Sequence, residues 1–427
     1  MIIMRRFLLL LCVALTVAAG AYLFTRTRTP LFVQSKVSIA TPTYKGAGSI
    51  RAEVSIFDEV AQVTQIDVSP DGNYMLVGTL GGTVWVYQRV DGVFRRQSEP
   101  FFVLKTSQPG FPPEEAGLTG VAYGSDFEKS GDVFLLYSFA FEKKSFRNRV
   151  TRVQFTKRGD RVVGINPQQI FEANTAGTGS HQIQDGVGVM VAGKPHLLFT
   201  VGEGFVGERA LDPTKEAGKV MLVQRDGKEP MGVRPYPESP KVQALGIRNA
   251  PAIGINPKNG KVAIGDTGPN NYDRFLYGTV FDTAGFNIQK LSFNWNGTEE
   301  SLKKSAPDLY DAGKEMVLHR WVPTETAVNI AFYENTTLTK LKDNQQYVLV
   351  VLFGRTGEKN NTPGKKIMLG TLEEGRQNRL LLSPLIDRAA IGEGQLGHPI
   401  GLGVDRSTGD IYFGDIMEGR IYKVSLK

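Results

Sequence analysis

The sequence predicts an all-β fold: a six-bladed β-propeller with long loops on one face, preceded by an N-terminal signal or anchor segment. Three observations lead there. A phrase of short apolar strand, Asp/Asn/Gly-rich turn and second strand recurs along the chain. Glycine is in excess, 48 of 427 residues, and it concentrates where strands end or turn. Helical periodicity is nearly absent, with one short helix expected at 299–304.

The first unit carries Gln65-Ile-Asp-Val-Ser-Pro-Asp-Gly-Asn73, then the apolar runs Tyr74 to Gly78 and Gly81 to Tyr87. The second pairs Leu118 to Tyr123 with Val133 to Tyr137 and Arg149 to Phe155. The third contains Gly186 to Met190, His196 to Gly202 and Lys219 to Val223. A fourth joins Ala252 to Asn256 with Lys261 to Asp266, and a fifth joins Val328 to Phe332 with Tyr347 to Phe353. The last holds Ile400 to Asp405, Asp410 to Asp415 and Arg420 to Val424. Each unit is too small to bury both faces of its own strands, so the units must stack, and radial stacking of small sheets leaves only short, protected edges. A large β-sandwich or a solenoid is the competing arrangement.

The amino end has a different character. Arg5 and Arg6 precede an apolar run from Phe7 to Phe24, the order of an export signal or an uncleaved anchor. Residues 1–30 are therefore assigned as signal or anchor, 31–50 as tether and 51–427 as propeller. The expected location is periplasmic or otherwise extracytoplasmic, with residues 7–24 either removed or kept in the cytoplasmic membrane. Residues 1–30 hold four arginines and no acid, so without them the net charge falls from +7 to +3. That excess is too small and too scattered for a nucleic-acid partner. The single cysteine, Cys12, lies in the apolar run, so the body has no thiolate nucleophile, cysteine metal site or disulfide. Gly177-Thr-Gly-Ser-His-Gln lacks the third glycine of a dinucleotide turn, and Pro363-Gly-Lys-Lys lacks the features of a phosphate loop.

Three stretches resemble the soluble quinoprotein glucose dehydrogenase and aldose sugar dehydrogenase family, also called glucose/sorbosone dehydrogenases, and the blade order agrees over most of 115–427. Gly117-Leu-Thr-Gly-Val-Ala-Tyr-Gly-Ser-Asp-Phe127 is similar to that family's Gly-Leu-Leu-Gly-x-Ala-x-x-Pro-x-Phe. Ser180-His181-Gln182 followed by Thr200-Val-Gly-Glu203 resembles its histidine loop and Thr-x-Gly-Asp. Ala244 to Asn256 with Ile264-Gly-Asp-Thr-Gly268-Pro269-Asn270 resembles its Gly-x-Arg-Asn-Pro and Glu-x-Gly-Pro segments.

The resemblance implies a propeller that holds pyrroloquinoline quinone (PQQ) and calcium on one face and oxidises a small-molecule sugar or alcohol. It implies His181 as general base and Arg248 as the second catalytic residue. It assigns cofactor contacts to Glu115, Asn249, Arg355 and His398, and calcium to the carbonyls of Gly268 and Pro269. Independently of the resemblance, imidazole is the default base for a hydroxyl proton near neutral pH, and calcium takes oxygen donors, backbone carbonyls included. Two other functions fit the same scaffold. One is a non-catalytic propeller that binds a glycan or protein partner. The other is a calcium-dependent lactonase-like hydrolase, for which Glu203, Asn249 and Asp266 would have to converge.

Overall fold

The protein was analysed as a computed structural model. It describes residues 44–45, 50–104, 115–142, 145–176, 179–231, 236, 238–268, 273–279, 316–334, 338, 340–354, 364–387 and 396–427. The N-terminal apolar run and the helix expected at 299–304 lie outside the described residues. Among those described, no helix is long and apolar enough to cross a membrane.

Six antiparallel sheets are present, one for each unit read from the sequence. From the inside outward, blade 1 comprises Val63–Val68, Tyr74–Thr79, Thr83–Val90 and Val93–Arg96. Blade 2 runs Leu118–Tyr123, Asp132–Glu142, Ser145–Arg158 and Arg161–Ala176. Blade 3 is Ile183–Val191, Lys194–Val201, Lys219–Gln224 and Val242–Leu245. Blade 4 is Ala252–Ile255, Val262–Asp266, Asp273–Gly278 and Val317–Trp321. Blade 5 is Ala327–Tyr333, Gln345–Leu352, Lys366–Glu373 and Arg379–Ile386. Blade 6 takes Pro399–Val404, Ile411–Asp415 and Arg420–Leu426 from the C-terminal end of the chain. Each innermost strand touches the next, and that of blade 6 returns to blade 1, which closes the ring.

Blade 6 is completed by a strand that the sequence did not assign to it. Arg51–Glu59 pairs antiparallel with Arg420–Leu426, from Ala52 opposite Leu426 to Glu59 opposite Arg420. Lys427 N donates to Arg51 O at 2.8 Å. The alternation in Arg51–Glu59 identifies a half-buried strand but carries no information about its partner.

The core lies between blades. Second and third strands are buried on both faces and so read as continuous apolar runs, such as Met75-Leu-Val77 and Val348 to Leu352. Six apolar clusters result, one at each blade-to-blade interface. Leu76, Val84 and Val86 of blade 1, for example, meet Val121, Leu135 and Val153 of blade 2. At about 1.5–3 kcal/mol for each fully buried aliphatic or aromatic side chain, these interfaces hold the ring without disulfides.

Glycine is needed where strand meets strand. A Cβ on Gly188 would sit 2.4 Å from Tyr123 O, closer than any side-chain carbon can approach backbone. On the axis, Gln65 Nε2 donates to Asp185 Oδ1 at 2.7 Å and Gln65 Oε1 accepts from Asn329 Nδ2 at 2.8 Å. This side chain thereby ties blades 3, 1 and 5 together. It lines two axial cavities, one of about 400 Å³ and one of about 370 Å³.

Candidate functional site

All innermost strands run in the same direction, so the residues that immediately precede them gather on one face of the ring. Glu115 precedes the inner strand of blade 2, His181 that of blade 3, Arg248 and Asn249 that of blade 4, and His398 that of blade 6. Each second strand runs antiparallel to its inner strand, so its C-terminal end returns to the same face. That places Glu203 and Phe205 after Lys194–Val201 and Gly268 after Val262–Asp266.

His181 is the centre of the arrangement. Its φ of 59° lies in the left-handed region, uncommon for a non-glycine residue. Two hydrogen bonds hold its backbone there: Gly204 N donates to His181 O at 3.1 Å and His181 N donates to the Glu115 carboxylate Oε2 at 3.1 Å. Gly202 makes room for it, since a Cβ there would stand 2.5 Å from His181 O. The imidazole Nδ1 is 2.7 Å from Glu203 Oε1, and both side chains are buried. Phe205 stacks on the imidazole with centroids 3.9 Å apart and planes 14° from parallel.

Arg248 and Asn249 sit on the link between blades 3 and 4, and Asp266 fixes that link. Its Oδ1 accepts from the backbone N–H of Arg248 at 3.1 Å and of Asn249 at 2.9 Å, while Oδ2 pairs with Arg274. Asp266 and Arg274 both have 0% exposure. The Arg248 carbonyl accepts from Glu203 N at 2.8 Å, joining this link to the histidine loop. The Arg248 guanidinium donates to Thr267 O at 3.0 Å and Gly268 O at 3.2 Å. Burial lowers its pKa from the ordinary arginine value, against the pull of Glu203, Asp266 and Glu115.

Asn249 Nδ2 donates to Glu115 Oε2 at 3.2 Å, and Gln184 Nε2 donates to Asn249 Oδ1 at 3.2 Å. Gln184, Asn249 and Glu115 form part of the wall of the 400 Å³ cavity, which is otherwise largely apolar, with Leu80, Val328 and Phe353. His181 and Arg248 stand directly behind that wall. Across the cavity, His398 stacks on Phe353 at 4.3 Å and its Nδ1 lies 2.9 Å from Phe353 O. Burial lowers the His398 pKa, and nearby Lys365 lowers it further.

The structure therefore brings together Glu115, His181, Arg248, Asn249 and Gly268, and sets His398 on the opposite rim. Arg355 and Pro269 lie outside the described residues. The Gly268 carbonyl, expected to face a metal, already accepts from Arg248. Of the residues named for a hydrolase, Glu203 pairs with His181, and Asp266 with Arg274 and the backbone amides of Arg248 and Asn249. Among the described residues no group of three His, Cys, Asp or Glu side chains is placed to hold a metal.

Sequence reasoning missed three participants. Glu203 stood in a quoted stretch but was not recognised as the partner of His181. Phe205 had no pattern to mark it. Asp273 lies beyond the quoted motifs, yet its Oδ1 accepts from Gly268 N at 3.0 Å, and its Oδ2 accepts from Glu325 N at 2.7 Å and Thr326 N at 2.6 Å. It thus anchors the Gly268 turn to blade 5.

The fold has known counterparts. An oxidoreductase described as a glucose dehydrogenase, from Thermus thermophilus, superposes with a TM-score of 0.61 at 18% identity, covering 88% of this chain and 100% of that chain. The PQQ-bound form of aldose sugar dehydrogenase from Streptomyces coelicolor gives 0.59 at 15% identity, covering 91% of this chain and 100% of that chain. The apo-form of soluble aldose sugar dehydrogenase from Escherichia coli gives 0.62 at 17%, covering 88% and 99%. No curated protein matches the sequence. Residues 60–348 match the family described as Glucose / Sorbosone dehydrogenase. That span takes in blades 1 to 4, part of blade 5, and the loops that carry His181, Glu203 and Arg248: the chain belongs to the glucose/sorbosone dehydrogenase family.

Proposed function

We propose that this chain is an exported, PQQ- and calcium-dependent oxidoreductase that acts on a CH–OH group of a sugar or simple alcohol. The observation that carries the reading is the His181–Glu203 pair, with Arg248 beside it, directly behind the wall of a cavity large enough for a small ligand. Family membership supports a sugar substrate, and the PQQ-bound relative from Streptomyces supports the cofactor.

Glu203 accepts the Nδ1–H of His181, which fixes the tautomer and leaves the Nε2 lone pair to take the hydroxyl proton. The carboxylate then faces the imidazolium that forms and lowers its cost. Arg248, anchored through its backbone to Asp266, presents positive charge to an oxygen that becomes negative as its proton leaves. The amides of Asn249 and Gln184 are neutral donors in the cavity wall.

The donor set fits the implied cofactor. Asn249, Gln184 and Arg248 would meet carbonyl oxygens, and among the described residues Arg248, His398 and neighbouring Lys365 would meet its carboxylates. The Gly268 carbonyl keeps a second lone pair beyond the one given to Arg248, which leaves it able to meet calcium. When bound, the quinone supplies the two-electron acceptor and calcium the Lewis acid.

The test is reconstitution of the full chain with PQQ and calcium, followed by assay of aldoses and simple alcohols with an artificial electron acceptor. Turnover is expected, with a loss of roughly 10²–10⁴-fold in His181→Ala. No cofactor-dependent absorbance change and no turnover would overturn the reading; turnover that survives in His181→Ala would remove the assigned base. A second reading, a propeller that holds a neutral glycan without chemistry, is favoured by one observation. Among the described residues lining the cavity, Glu115 is the single charged side chain. Sugar binding without turnover is its signature.

A further inference from the structure

We propose that Lys219 is a positioning residue for this site: its buried ammonium closes the loop that carries Glu203 against the link that carries Arg248. The base pair and the guanidinium thereby keep one geometry. The proposal rests on the oxidoreductase reading above and concerns a side chain outside the wall of the cavity.

Lys219 opens the third strand of blade 3, where it pairs with Val201 on one side and Leu245 on the other, and it is 0% exposed. Lysine is almost never fully buried unless it is paired. Here the partners are three backbone carbonyls: Nζ donates to Arg209 O at 2.8 Å, Ala210 O at 2.9 Å and Ala217 O at 2.6 Å. An ammonium has three N–H donors and no acceptor, so the three carbonyls use it completely. Burial lowers its pKa to about 7, against the pull of Asp212 and Glu216. Below that pH the group carries the three protons that three acceptors require.

The acceptors belong to one loop, residues 202–218. Arg209 and Ala210 lie in the single helical turn Gly207–Leu211, and Ala217 stands at the loop's end, so Nζ draws the middle of the loop onto its end. The same loop is pinned to the link between blades 3 and 4 at three points. Ala210 O, besides Nζ, accepts from Gly246 N at 2.8 Å; Gly218 O accepts from Ile247 N at 3.1 Å; Arg248 O accepts from Glu203 N at 2.8 Å. Gly218 N donates to Gly202 O at 3.0 Å, which joins the two ends of the loop beside Glu203.

Packing leaves little slack, since a Cβ on Gly218 would stand 2.5 Å from Ala210 Cβ and 2.8 Å from Ile247 O. Lys219 therefore reaches Glu203 through the joined loop ends and Arg248 through Gly246 and Ile247. Hydrogen bonds from a charged donor are roughly twice as strong as neutral ones. Without the ammonium, buried carbonyls lose that donor. The loop would relax, and with it the contact of Glu203 to His181 and the placement of the guanidinium.

The test uses the full chain at pH 6 in three forms: wild type, Lys219→Met and Val223→Ala. Methionine keeps an apolar stem and removes the charge. Val223 is fully buried in the same strand and sits outside the loop, so its truncation controls for general loss of stability. Amide hydrogen exchange, read without cofactor, should be at least about tenfold faster in Lys219→Met across residues 203–218 and 246–249, with blades 1, 5 and 6 at wild-type rates. After reconstitution, kcat per folded molecule should fall roughly 10–10²-fold with KM within about twofold. Val223→Ala should lower stability and leave kcat per folded molecule unchanged. An unchanged kcat in Lys219→Met, a rise in KM alone, loosening spread over all blades, or an equal fall of kcat in Val223→Ala would each overturn the proposal. Should Lys219→Met not fold, exchange in the wild type decides. The amides of Glu203, Gly218, Gly246 and Ile247 open together if Lys219 clamps them, and independent opening overturns the clamp. Local loosening in Lys219→Met without turnover in any form would uphold Lys219 and overturn the oxidoreductase reading. Wild-type turnover that Lys219→Met retains in full would do the reverse.

Discussion

Substituting Asp266→Asn separates the scaffold of the site from its chemistry. Asp266 is fully buried, accepts from the backbone N–H of Arg248 and Asn249, and neutralises the fully buried Arg274. The asparagine carbonyl can still accept from the two amides, but as a neutral acceptor, and hydrogen bonds to charged groups are worth about 1.5–3 kcal/mol against roughly 1 for neutral ones. The larger loss is at Arg274, which keeps its contact to Gly246 O but loses its buried carboxylate; breaking one side of a buried ion pair costs about 3–5 kcal/mol. The sum, on the order of 4–6 kcal/mol, is a large fraction of the roughly 5–15 kcal/mol of a typical domain.

Equilibrium urea denaturation of the full chain at pH 7 measures it, and a double-mutant cycle with Arg274→Met isolates the pair. The double variant is expected to be less destabilised than the sum of the singles, with coupling of about 1.5–3 kcal/mol. Because the anchor of the Arg248 and Asn249 amides weakens from a charged to a neutral acceptor, the folded fraction should also lose turnover by roughly 10²-fold, the scale of a misplacement near 1 Å. An Asp266→Asn protein within about 1 kcal/mol of wild type, or strict additivity with Arg274→Met, would refute the reasoning.

Two further predictions concern the axis and the closure. Burial pushes the Asp185 carboxyl up to about 7. Between the unfolded value near 4 and this folded value the native state holds the extra proton, so wild-type stability falls as pH rises across that window. Asp185→Asn removes the titration; its stability relative to wild type should increase by roughly 2 kcal/mol between pH 5 and pH 8 in urea denaturation, and a decrease would contradict the assignment. In the closing strand, Val54 is fully buried and opposite Val424. Val54→Asp should cost at least about 3 kcal/mol by burying an unpaired charge and expose the edge of Arg420–Leu426. Size-exclusion chromatography should then detect association, and a monomeric variant of near-native stability would argue against the closure.

The six units were legible because strands buried on both faces write themselves as apolar runs between glycine turns, whatever their loops do. His181 and Arg248-Asn249 were marked by resemblance, and the structure shows that each precedes an inner strand, the position that every blade delivers to the same face. The partner of His181 was not. Glu203 lies 22 residues away, and their meeting depends on the return of one antiparallel strand and on the absence of a Cβ at Gly202. Asp266 read as a candidate ligand and Asp273 carried no mark, because a lone carboxylate in sequence does not reveal whether it faces water, metal or backbone amides. Arg51–Glu59 was recognised as the start of the body but not as part of the last blade, since pairing across the whole chain leaves no local trace.

Gln65 has a bearing on traffic through the molecule. Its amide is held at both ends by Asp185 and Asn329, and its side chain lines both axial cavities. Moving it would break its bonds to blades 3 and 5 together, so any passage between the two cavities at this point is coupled to the integrity of the inner ring.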